Sequence, residues 1–104
     1  IVIPVPFDLS STWQKGADKG PAAIIKASVQ LEVYDIETQT EVYKKGIYTD
    51  NYIKANSLAK MVKKVYERVK FFLDKDKFIV LLGGEHSVSI VSIKSFSETF
   101  KYNY

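Results

Sequence analysis

The chain has 104 residues, 46% hydrophobic and 26% charged, with seven Tyr, six Phe and one Trp, enough for one small globular domain and too apolar for a disordered segment. Its formal charge of +3, from 15 basic and 12 acidic residues spread along the chain, is too small and too dispersed for a nucleic-acid binder. The lack of cysteine excludes a disulfide framework or thiolate metal site and suits a reducing, cytoplasmic compartment, and no apolar run approaches the roughly 20 residues of a membrane span.

The opening IVIPVPFD (1–8) reads as the end of a strand, because Pro4 and Pro6 cannot donate ladder hydrogen bonds. Much of that strand is expected to lie upstream of Ile1. A polar loop, DLSSTWQKGADKG (8–20), follows, with Gly16 and Gly20 read as residues serving turn geometry and Trp13 read as a possible interface anchor. Gly20-Pro21 opens a short amphipathic helix over 21–31, whose inner positions are Ile24, Ala27, Ser28 and Leu31. The alternation in VYDIETQTEV (33–42) predicts a half-exposed strand at a sheet edge, and 44–51 reads as a turn region. The clearest helix runs from Asn56 to Leu73, with Leu58, Met61, Val62, Val65, Val69, Phe72 and Leu73 on one stripe. Its basic stretch, KMVKKVYERVK (60–70), is then the solvated face. FIVLL (78–82) is a continuous apolar run, the pattern of a strand covered on both faces, and SVSIVSIKSF (87–96) returns to near-helical spacing at Val88, Val91 and Phe96.

Strands alternating with helices argue for a layered α/β fold, with no repeat and no linker dividing the chain. The chain's one histidine, His86, falls just past the strand 78–82 at the mouth of a helix. In open α/β sheets ligands bind at that end of the strands. Gly83 and Gly84 suit close approach there, Ser87 or Ser89 suits capping of the helix, and Glu85 suits orienting a neighbouring group or a first-turn acid. His86 is therefore either a metal ligand or a polar turn residue. The acids Asp8, Asp18, Asp35, Asp50 and Glu85 have no ligand-like spacing to it.

LLGGEHSVS (81–89) resembles the first metal-ligand motif of the ureohydrolase family, which comprises arginases, agmatinases, guanidinobutyrases and formiminoglutamases. VPFDLSSTWQKGADKGPAAIIKAS (5–28) resembles that family's N-terminal pattern of strand, polar loop and Gly-Pro helix start, and LEVYDIETQTEVYKKGIYT (31–49) looks most like prokaryotic agmatinases. The resemblance implies a three-layer α/β/α fold with a mostly parallel sheet, of which residues 1–104 form the N-terminal portion, a fragment of one domain. It implies a binuclear Mn(2+) centre with His86 as one ligand, Glu85 as a supporting residue, and hydrolysis of a small guanidino substrate, agmatine to putrescine and urea. It also implies a cytoplasmic homo-oligomer that engages no nucleic acid and no membrane. The family's remaining ligands, on Asp-Ala-His-x-Asp and Asp-x-Asp motifs expected further along the sequence, do not occur after His86, so the 104 residues alone are expected to be inactive. The alternatives are a relative acting on another guanidino compound, and a non-catalytic interaction module whose open sheet edge favours oligomerisation.

Overall fold

The structure, a computed structural model, describes residues 1–100. Strand β1 (Val2–Val5) pairs in parallel with β2 (Val80–Gly83), Ile3 opposite Leu81 and Val5 opposite Gly83. Helices α1 (Gly20–Ser28) and α2 (Leu58–Leu73) lie between the strands in sequence, and α3 (Ser87–Phe100) follows β2. Odd-numbered β1 residues, Ile3 and Val5, point into a core with Met61, Val65 and Val69 of α2 and Val88 and Val91 of α3. Even-numbered Val2, with Leu82 of β2, faces Ile24 and Ile25 of α1. The side-chain period of two thus sends α2 and α3 to one face of the sheet and α1 to the other. The result is three layers, α/β/α.

Pro4 lies inside β1, not at its end. The ladder to β2 uses odd-numbered β1 groups, since Val80 N–H donates to Ile1 O at 2.8 Å and Gly84 N–H to Val5 O at 3.1 Å. The missing donor of Pro4 therefore faces away from β2, where its carbonyl accepts from Ile53 N–H at 2.9 Å. On that side Val2 forms a parallel bridge to Thr49, with Val2 N–H donating to Tyr48 O at 2.7 Å and Asp50 N–H to Val2 O at 2.8 Å. The segment read from sequence as a turn, 44–51, contributes this third, single-bridge row to the sheet.

Residues 33–42 are not a strand. Asp35 accepts from Glu37 N–H at 3.1 Å and from Thr38 Oγ1 at 2.7 Å, and Gln39 takes a left-handed φ of 53°, so the chain doubles back to an Asp35–Thr40 bridge. A local side-chain acceptor has outcompeted a ladder. A 3-10 turn, Val42–Lys45, follows. Helix α1 stops at Ser28, whose hydroxyl donates back to Ile25 O at 2.7 Å; Leu31 lies beyond it, 72% exposed, and of the helix only Pro21 is buried.

Helix α2 begins at Leu58 because Ser57 caps it, its side chain accepting from Lys60 N–H at 3.3 Å. Met61, Val65, Val69, Phe72 and Leu73 are buried, while Leu58 and Val62 at the start of the stripe are exposed. Its outer side carries Arg68, which donates through Nε and, at 2.8 Å, Nη2 to the buried Asp50 and lies over the rings of Phe71 and Phe72 at 4.9 and 4.5 Å. This pair ties the third sheet row to α2. Strand β2 begins at Val80 and is only partly covered, with Val80 exposed and Phe78 84% exposed before it. Its Leu81 N–H and C=O point away from β1 and meet no partner among the described residues. The inner face of α3 is Val88, Val91 and Ser95, not Phe96; Ser95 Oγ donates to Val91 O at 3.0 Å, and Phe96 stacks on Phe100 with centroids 4.4 Å apart.

Candidate functional site

Both strands end at the same edge, and the parallel register brings their exits together. Gly84 N–H bonds Val5 O, and Glu85 N–H bonds Phe7 O at 2.9 Å. A Cβ on Gly84 would lie 1.9 Å from Phe7 O, so glycine is required there by close approach. Gly83 is different: a Cβ would sit at an ordinary 3.6 Å from Val88. After Glu85 the chain turns into α3 through Val88 N–H to Glu85 O at 3.3 Å and Ser89 N–H to His86 O at 3.0 Å. His86 is thus held by its backbone on both sides. Its exposed imidazole makes no hydrogen bond among the described residues.

Glu85 joins the turn to the loop that leaves β1. Its Oε1 accepts from Ser10 Oγ and from Ser87 Oγ, the latter at 2.7 Å. The Ser87 hydroxyl accordingly serves Glu85 and does not cap α3. Burial pushes the Glu85 carboxyl up, but the Ser10 and Ser87 hydroxyls outweigh it and hold the group below its ordinary range. Glu85 Oε2 is buried with no partner among the described residues.

Asp8, at the exit of β1, shapes that loop. Its Oδ2 accepts from Gly16 N–H at 2.6 Å and Ala17 N–H at 3.0 Å, and its carboxyl is held below the ordinary range, first by the Ser11 hydroxyl and then by Gly16 N–H. Gly16 has a φ of 122°, a conformation closed to other residues, whereas Gly20 has a helical φ of −55° and is the first residue of α1, not a turn glycine. The loop and the GGEHS turn enclose a hollow of about 460 Å³ walled by Ser10, Trp13, Glu85, His86 and Ile90. Sequence reasoning singled out His86 and Glu85 but missed Ser10 and the organising part of Asp8. The Ser10–Glu85 contact spans 75 residues, and no local pattern announces it.

The other acids do not converge on His86. Asp35 closes its own turn and Asp50 is held by Arg68. Among the described residues no group of three or more His, Cys, Asp or Glu side chains is placed to hold a metal ion. A manganese ion takes several oxygen and nitrogen donors, and the free imidazole of His86 fits one such position. The described residues do not complete a set.

The sequence profile of the arginase family matches residues 1–103. The N(1)-aminopropylagmatine ureohydrolase of Synechocystis sp. is 35% identical over 96 residues, which is 86% of this chain and 31% of that protein. Among solved structures, the agmatine ureohydrolase of Thermoplasma volcanium superposes with a TM-score of 0.84 at 24% identity, covering 90% of this chain and 32% of that one. Arginase from Bacillus subtilis superposes with a TM-score of 0.69 at 30% identity, covering 93% and 33%. The fold is therefore the arginase-like α/β/α architecture, and the chain spans about a third of the length of the relatives it matches. It belongs to the arginase family.

Proposed function

We propose that this chain is the N-terminal part of a single ureohydrolase domain, and that the protein hydrolyses the guanidino group of agmatine or its N-aminopropyl derivative, releasing urea. His86 is one ligand of a binuclear manganese centre whose other ligands lie outside the chain. The observation that carries the reading is the placement of an unpartnered imidazole at the carboxyl end of β2, on a turn fixed by backbone bonds from both strands. A guanidinium carbon is a poor electrophile, and a manganese pair, when bound, supplies a hydroxide nucleophile near neutral pH. The chain's own residues hold the geometry: Gly84 lets the turn close on Phe7, and Glu85 locks the turn to the β1 loop through Ser10. We read the protein as a cytoplasmic homo-oligomer whose partners are small guanidino compounds.

The test is urea release from agmatine and from N-aminopropylagmatine by the protein expressed from its own reading frame, with manganese supplied. His86→Asn is expected to lower turnover by at least about a hundredfold, since even loss of groups that merely support a ligand costs 10–100-fold. The 104-residue chain by itself is expected to release no urea. Unchanged turnover in His86→Asn, or full turnover by the 104 residues alone, would sink the reading.

A further inference from the structure

The loop that leaves β1 holds its own shape. Asp8 closes its base through Gly16 and Ala17 N–H. Lys15 Nζ donates to the carbonyls of Asp8, Leu9 and Ser11 at 3.2, 3.3 and 3.1 Å and to the Ser11 hydroxyl at 2.9 Å. Lys15 is thereby engaged from within, and the residues it spans form an arch. On that arch stands Trp13, 91% exposed. Elsewhere in the molecule cations cover aromatic rings, the half-buried Arg68 over Phe71 and Phe72 and the exposed Lys94 over Tyr66. The Trp13 ring has no such cover among the described residues. The indole presents an open aromatic face among the described residues, and it walls the same hollow as His86, where an aromatic face can take a cationic or apolar group.

We propose that Trp13 determines specificity for the substrate's tail: its indole face takes the ammonium-bearing aminoalkyl chain of a guanidino substrate whose reacting end lies at His86. This rests on the ureohydrolase reading. An aminoalkylguanidine is cationic at both ends, so the tail needs its own recognition. The acid in the described wall of the hollow, Glu85, has one oxygen engaged by two serine hydroxyls and the other buried, so it offers the tail no open carboxylate. An aromatic face attracts an ammonium without fixing its position sharply, and accommodates chains that differ in length.

The experiment compares wild type, Trp13→Phe, Trp13→Leu and Trp13→Ala, expressed from the native reading frame, on agmatine and on n-butylguanidine, whose tail carries no charge. Trp13→Leu and Trp13→Ala are expected to raise KM for agmatine about tenfold with kcat within twofold, and to change KM for n-butylguanidine less than twofold. Trp13→Phe, which keeps an aromatic face, is expected to restore most of the discrimination and guards against loss through misfolding. Equal effects on both substrates, or none on either, overturn the proposal. So does a changed oligomeric state in Trp13→Ala with tail discrimination intact, which would make the indole an anchor between copies. If wild type releases no urea from any guanidine, the hydrolase reading falls separately. Spermidine, which has the tail without the guanidinium, then decides: a saturable shift of tryptophan emission, absent in Trp13→Phe, supports the tail contact, and unchanged emission overturns it.

Discussion

On one face of the sheet, Ile3 and Val5 meet Met61, Val65 and Val69 with almost no solvent between them. On the other, Val2 and Leu82 look across a hollow of about 630 Å³ toward Ile24, Ile25 and Leu31. The two sides differ in the length and regularity of what covers them. Helix α2 has 16 residues and buries Met61, Val65, Val69, Phe72 and Leu73 in the core that Ile3 and Val5 enter. Helix α1 has nine residues and buries Pro21 alone. The long segment between α1 and the third sheet row, which also borders the hollow, spends its polar groups on local turns. Where periodicity persists for four turns, the core is self-contained among the described residues; where it lasts two, apolar side chains stay at the surface.

Substitutions on the two faces separate these cases. Met61→Ala, at a fully buried position, is expected to cost about 3 to 4 kcal/mol, the transfer loss plus a cavity. Ile24→Ala, 52% exposed on the other face, is expected to cost less than about 1 kcal/mol. Urea denaturation measures both, and equal costs would show that α1 is packed as tightly as α2. At the strand exits a similar pair sits within two adjacent residues. Gly84→Ala must displace the Phe7 backbone and is expected to cost about 3 kcal/mol, whereas Gly83→Ala meets only ordinary contacts and is expected to cost less than about 1 kcal/mol.

The Asp50–Arg68 pair belongs to the well-covered side, joining the third row to α2. Asp50→Asn is expected to cost about 2 kcal/mol, the scale of a hydrogen bond to a charged group reduced by the part-exposed guanidinium. The Arg68 hydrogen bonds lower the Asp50 pKa from its ordinary 3.8, so folding favours the ionised carboxylate. Its stabilisation is complete above 3.8 and is lost as the pH falls below that value through the lowered folded one. The stability gap between wild type and Asp50→Asn should therefore narrow in acid; a gap independent of pH would show that the loss is one of packing.

The same contrast decides what was legible in the sequence. The α2 stripe and the Gly-Gly-Glu-His turn were visible because burial imposes a period and close approach imposes glycine, whereas the apolar run 78–82 announced a strand but not its partial exposure. Val33 to Val42 misled because alternation is also what a turn shows when Asp35, Thr38 and Thr40 bond one another. The Thr49 row was hidden because one bridge needs no apolar run. Of the site, His86 and Glu85 were legible through their motif, and Gly84 through its doublet. Ser10 and Asp8 were not: their partners Glu85 and Gly16 lie 75 and 8 residues away, and only the parallel register and the loop closure bring them together.

The smallest effect expected lies on the less covered side, and its sign is opposite. Gln39 holds a left-handed φ of 53° in the turn that Asp35 organises. A non-glycine residue there costs of order 1 kcal/mol, while glycine adopts that φ freely and loses more backbone freedom on folding. The two effects partly offset each other. Gln39→Gly is expected to stabilise by about 0.5 kcal/mol, provided that the turn is formed in the folded protein. Were 33–42 a strand instead, glycine would weaken it by a similar amount. The direction of the change in urea midpoint for this one substitution thus separates a segment organised by its own side chains from one waiting to join the sheet.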